Sequence, residues 1–201
     1  MTQIISPIPQ DIWPFTVNFK SIRLSAAQFE QLCRDNRDLR LELTSKGELI
    51  VMPPTGSKTG QRNFSLTSQL GSWVLKNGTG VGFDSSTGFT LPDGAIVSPD
   101  GSWIRRERWN ALTEGEQEGF APICPDFVIE LRSPSDSLSR LQNKMQEYIE
   151  NGAHMAWLID PLKRRVYIYR PDYDVEVLED SETVSGEPVL RGFQLNLHEL
   201  W

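Results

Sequence analysis

Asp100, Glu130 and Lys144 are the side chains of this sequence whose types and surroundings could do chemistry. Glu130 interrupts the apolar run Phe127, Val128, Ile129 and Leu131, which reads as a buried strand. Burying an unpaired carboxylate is costly, so Glu130 calls for a cation, a hydrogen-bond network or a metal ion beside it. The plainer reading is a strand-end glutamate with its head in water, or one paired with Arg132 on the same face. Asp100 follows Pro99 at the start of the strand-like SPDGSWI, although an aspartate after a proline is also a common turn residue. Lys144 lies on a helix pattern and, at about 100° per residue, falls at the edge of its apolar stripe beside Tyr148. It can run its methylenes along the sheet and return its ammonium to the strand that feeds the helix. A snorkelling surface lysine, or a pair with Glu147, is the bland alternative. Two carboxylates on neighbouring strands, with the backbone carbonyl of Leu131, make a hard-oxygen set able to hold Mg²⁺. Such an ion acidifies a water and stabilises charge on a phosphate, while a nearby lysine supports the nucleophile or the transition state.

The elements that must position these groups are legible as patterns. Ser25 to Asn36 opens with an N-cap serine and places Ala26, Phe29, Leu32 and Cys33 at helical spacing. Leu39 to Thr44 and Glu48 to Met52 read as a hairpin around Ser45-Lys46-Gly47. In its first strand Glu42 shares a face with Arg40, and spacing alone makes Glu42 a cross-strand ion pair on a solvated face. Ser57 to Lys76 predicts a long helix with Phe64, Leu66, Leu70, Trp73 and Val74 on its apolar side. Lys58, Gln61, Arg62 and Asn63 in its first turns read as a solvated face, or more sharply as a phosphate or ligand contact. Short strands follow from Gly80 to Ile104, then a short helix and loop over Glu107 to Pro122, the strand of Glu130, and the helix Leu138 to Asn151. Met155 to Asp160, Val166 to Tyr169 and the segment around Val175 and Val177 predict further strands, and Phe193 to Trp201 packs back on the domain.

Composition bounds the rest. A chain of 201 residues with 38% hydrophobic content can bury one sizeable core, so the expectation is a single domain over residues 25–201, preceded by an extended, proline-rich arm over residues 1–24. No apolar run approaches the roughly 20 residues of a membrane span, which predicts no membrane segment. The opening MTQIISPIPQDIWPF does not read as a secretory signal, and Cys33 and Cys124 have neither a disulfide framework nor metal spacing, so a cytoplasmic protein with packing cysteines is expected. His154 and His198 are read as structural. The net charge of -7 argues against a broad basic surface for nucleic acid, although a carboxylate cluster neutralised by a divalent ion can sit in a locally basic cleft.

The segments LELTSKGELIVMPPTG, SPDGSWI, PDFVIELRSPSD, KMQEYIENGA and WLIDP occur in the order found in a known family. Over a span from about Ser25 to the C-terminus the chain resembles the bacterial Uma-type family of restriction-endonuclease-like proteins, within the PD-(D/E)XK nuclease superfamily. The resemblance implies an α/β restriction-endonuclease-like core with a central mixed β-sheet flanked by helices, a homodimer, and a nuclease site using Mg²⁺ or Mn²⁺ on a DNA substrate. Residue by residue, Pro99-Asp100 matches the superfamily's PD, Glu130 its second carboxylate, and Glu42 a further acidic position. Where E-x-K has its lysine this chain has Arg132, a permanently protonated group and a poor base. In this family the lysine role moves to the following helix, and Lys144 is the matching position. Arg132, Lys58 and Arg62 remain as candidate substrate contacts. The sequence thus predicts a metal-dependent endonuclease, and carries as its alternative an inactive or regulatory binding module on a nuclease fold, favoured by the acidic charge and the missing lysine.

Overall fold

In a computed structural model, described for residues 14–19, 21–22 and 24–201, the chain runs β1 (Phe15–Asn18), α1 (Ala26–Asp35), β2 (Arg40–Leu43), β3 (Glu48–Met52), α2 (Ser57–Asn77), β4 (Gly80–Asp84), β5 (Phe89–Thr90), β6 (Ile96–Val97) and β7 (Gly101–Arg105). It continues through α3 (Arg106–Asn110), α4 (Glu114–Glu118), β8 (Phe127–Leu131), α5 (Leu138–Glu150), β9 (Met155–Asp160), β10 (Arg165–Tyr169), β11 (Glu176–Glu179), β12 (Thr183–Ser185) and β13 (Gln194–Asn196), ending in a 3₁₀ turn at His198–Leu200. Most of the arm expected over residues 1–24 lies outside the described residues; its Phe15–Asn18 portion pairs antiparallel with β3.

Six strands in the order β11-β10-β9-β8-β7-β4 form the central sheet. It is mixed: β7 pairs antiparallel with β8, β8 runs parallel to β9, and β9 and β10 form an antiparallel pair. A parallel neighbour requires a crossover, and α5 supplies it between β8 and β9. The period-two alternation of β8 decides what meets each layer. Phe127, Ile129 and Leu131 pack with Leu66 and Leu70 of α2, whereas Val128 packs with Met145 and Tyr148 of α5. Glu130, two residues from Val128, therefore faces α5.

A second, antiparallel sheet of order β1-β3-β2-β6-β5 packs Leu41, Leu43, Leu49, Val51 and Ile96 against Phe29 of α1. The hairpin β2-β3 turns through Gly47, whose φ of 76° suits glycine. The Ser25 cap is a full capping box: the Ser25 hydroxyl accepts from Gln28 N at 3.2 Å and the Gln28 side chain accepts from Ser25 N at 2.9 Å. Gly101 allows α2 to lie directly on the sheet beside Asp100, since a Cβ there would stand 2.8 Å from Leu66 Cδ2.

Three expectations are corrected. Phe64 is not in the core; it is 76% exposed on the outer side of α2, whose buried residues are Thr59, Leu66 and Leu70. The segment 107–122 contains most of two short helices, α3 and α4, rather than one, the second opened by a Thr113 and Glu116 capping box. Glu42 is not on a solvated face: it is 3% exposed, because α5 covers its side of β2. Among the described residues, no helix is long and apolar enough to cross a membrane.

Candidate active site

The ends of β2, β7 and β8 and the first turns of α2 and α5 enclose a cleft of about 570 Å³. Glu42, Asp100, Glu130, Leu131 and Lys144 all line it, as does Lys58; Arg62 and Arg132 are not among its lining residues. The register Gly101 to Ile129 between β7 and β8, carried one step further, sets Asp100 opposite Glu130. Asp100 is 6% and Glu130 5% exposed, so both carboxylates form the floor.

Each carboxylate has its own network. Asp100 Oδ2 accepts from the Leu131 N–H at 2.9 Å, fastening the start of β7 to the end of β8. Its Oδ1 accepts from Arg40 Nη2 at 3.3 Å and from Asn63 Nδ2 at 3.2 Å. Glu130 Oε1 accepts from the Tyr148 hydroxyl at 3.0 Å and lies 2.7 Å from Lys144 Nζ. Lys144 Nζ also donates to Glu42 Oε1 at 2.8 Å, and Glu42 accepts from Ser98 N at 3.0 Å through the same oxygen. Lys144 is thus neither a free surface lysine nor a partner of Glu147. Arg132 does not pair with Glu130 either; its Nη1 donates to Asp160 Oδ2 at 2.7 Å.

Three carboxylates share this floor with two cations, Arg40 and Lys144, and the protonation states follow. Burial pushes the Glu130 carboxyl up to about 7, against the pull of Lys144, and the nearby Asp100 and Glu42 charges push the same way. Burial would also raise Glu42, but the Lys144 ammonium, Ser98 N–H and Arg40 outweigh it and hold Glu42 below its ordinary value. Burial would lower Lys144, yet Glu130 and Glu42 together hold it well above the usual lysine range. Tyr148 is raised well above its ordinary value, first by burial and then by Glu130, so its hydroxyl stays a donor.

Among the described residues no three acidic, histidine or cysteine side chains close on a single point as a ready-made metal cage. The donor set nevertheless fits a hard divalent ion. The bonds to Glu130 all fall on Oε1, and Asn63 Oδ1, beside Asp100, is buried without a hydrogen-bond partner. An added cation would also offset the Asp100 and Glu42 charges that add to burial in raising Glu130.

Arg40, Asn63, Tyr148 and Arg140 belong to this cleft or its networks; of these, sequence patterns had marked only Asn63, as one of the polar residues in the first turns of α2 that could contact a ligand. Arg40 sits on the face of Glu42, Asn63 in the polar first turns of α2, and Tyr148 one helical turn beyond Lys144; those placements were the available signals. Arg140 carried none.

A mixed sheet between α2 and α5, with acidic residues at adjoining strand ends and a lysine delivered by the crossover helix, defines a restriction-endonuclease-like α/β fold. The chain belongs to the Uma2 family, described as "putative restriction endonuclease", whose family model matches residues 26–198. Its fold is similar to the crystal structure of "a putative nuclease belonging to DUF820 from Anabaena variabilis ATCC 29413", with a TM-score of 0.72 and 23% identity, covering 89% of this chain and 97% of that one. No functionally curated protein matches the chain in sequence.

Proposed function

We propose that this chain is an endonuclease that hydrolyses phosphodiester bonds in DNA with a bound Mg²⁺ or Mn²⁺. The observation that carries this reading is Lys144, brought by α5 to within 2.7 Å of Glu130 in the cleft that also holds Asp100. A family of nuclease-like proteins and a lysine beside two strand-end carboxylates support the same reaction class.

Asp100, Glu130 and the Leu131 carbonyl are the residues that would hold the ion. When bound, it supplies Lewis acidity toward the phosphate and lowers the pKa of a water nucleophile. Lys144 is kept protonated by Glu42 and Glu130, so its part is to stabilise negative charge building on the phosphate rather than to accept a proton. Arg40 and Asn63 hold Asp100 in place, and Tyr148 holds Glu130. Glu42 acts as the counter-ion that orients Lys144. Lys58 and Arg140, on the walls of the cleft, are placed to meet the neighbouring phosphates.

The proposal extends to a homodimer, in which two copies related by a two-fold axis would each cut one strand. Incubation of supercoiled plasmid with protein and Mg²⁺ or Mn²⁺ tests the activity. Nicking that disappears in Asp100→Ala and in Glu130→Ala is the expected result, and nicking unaffected by either change rules out this site. Calorimetric titration of the ions separates the alternative: a binding module would show no divalent-cation uptake that depends on Glu130.

A further inference from the structure

Arg132 stands where the E-x-K motif has its lysine, but its guanidinium points away from the reacting end of the cleft. Its Nη1 donates to Asp160 Oδ2 at 2.7 Å, and its Nε donates to the Asp136 carbonyl at 3.3 Å. Asp160, the last residue of β9, is fully buried, and its Oδ1 accepts from Leu162 N at 3.0 Å. Asp136 closes its own loop, since its Oδ2 accepts from Ser133 N at 2.8 Å and from the Ser133 hydroxyl at 2.7 Å. Residues 133–137 of this loop all line the cleft, and Ser137 is the N-cap of α5.

We propose that Arg132 is a positioning residue: with Asp160 it latches the 133–137 loop to the end of β9, and so sets one wall of the cleft and the entry of α5, which carries Arg140 and Lys144. The guanidinium suits this task because its fork presents separate donors to two acceptors at once, which a lysine ammonium on a flexible stem does less well. The ion pair has a second consequence. Asp160 is buried, so loss of Arg132 leaves a charge without its partner, whereas loss of both charges does not.

The inference rests on the nuclease reading for its kinetic part and on folding measurements for the rest. Thermal midpoints are measured for Arg132→Gln, Asp160→Asn, Arg132→Lys and the double variant Arg132→Gln with Asp160→Asn, alongside KM and kcat for plasmid or oligonucleotide cleavage. Each of Arg132→Gln and Asp160→Asn lowers the midpoint, and the double variant loses no more than the worse single. Arg132→Lys restores the midpoint, since it keeps the cation beside Asp160, but leaves KM raised about tenfold with kcat within about threefold, because the bond to the Asp136 carbonyl is gone. A wild-type KM in Arg132→Lys overturns the positioning role and leaves a purely structural ion pair. A fall in kcat of about a hundredfold in Arg132→Lys at a wild-type midpoint also overturns it, by placing the guanidinium in the chemistry. Additive midpoints for the two single changes contradict the latch itself. If the wild-type protein cleaves nothing, the nuclease reading fails, and the stability cycle still decides the latch.

Discussion

Lys144 on α5 meets Glu130 on β8 at 2.7 Å in the cleft, where Glu130 is buried and the lysine side chain is only 14% exposed. The same ammonium bonds Glu42 on the second sheet, so one side chain ties the crossover helix to both sheets. Lys144→Met would leave two nearly buried carboxylates without this cation. Loss of one partner from a buried ion pair costs about 3–5 kcal/mol, and urea denaturation should show a loss of that order. Glu42→Gln, which leaves the Lys144 and Glu130 pair standing, should cost less. Equal stability of Lys144→Met and wild type would contradict the assignment of Lys144 as the central cation.

Glu130 gives the metal-free protein a defined pH dependence. Its carboxyl is raised from 4.5 to about 7, first by burial, so between these values the folded chain holds a proton that the unfolded chain has released. The stabilising contribution is therefore full below about pH 4.5 and is lost as pH rises through about 7. Denaturation in EDTA from pH 5 to 8 should show wild type losing stability across this window relative to Glu130→Gln, whose neutral amide cannot titrate. A constant difference between the two proteins would remove Glu130 as the titrating group.

Much of the framework was legible because it rests on local pattern. The N-cap serine of α1, the Gly47 turn and the helix of Lys144 follow from backbone and periodicity rules acting over a few residues. The awkwardness of Glu130 in an apolar strand was equally visible, since a carboxylate there demands a partner. What the sequence could not supply was the identity of partners on distant elements. Alternation in β2 placed Glu42 and Arg40 on one face but did not say what covers it, and Lys144 of α5 turned a supposed solvated face into a buried one. Arg132 illustrates the same limit: its neighbour along the strand is Glu130, yet its partner is Asp160 on β9, across the parallel pairing of β8 with β9. Phe64 marks the opposite error, where helical spacing grouped an outward residue with an inward stripe.

Lys58 and Arg140 line the cleft, and neither pairs with a carboxylate among the described residues. This leaves their charges available to the phosphates of the proposed DNA substrate, in contrast to Arg40 and Lys144, which are held by the floor. Lys58→Gln and Arg140→Gln should each weaken DNA binding across sequences and reduce the slope of log affinity against log salt by about 0.7–0.9, the share of one phosphate contact. Fluorescence anisotropy of labelled DNA over a salt series makes the measurement. Unchanged slopes in both variants would place the substrate elsewhere.

The single-turnover rate of DNA cleavage at saturating Mn²⁺, compared between wild type and Lys144→Gln, reads whether this ammonium takes part in the chemistry. With Mn²⁺ uptake verified in both proteins by calorimetry, loss of the ammonium should slow cleavage by about a hundredfold or more, the scale of removing one preorganised charge-stabilising group. A Lys144→Gln protein that binds the ion, stays folded and cuts at the wild-type rate would contradict the account.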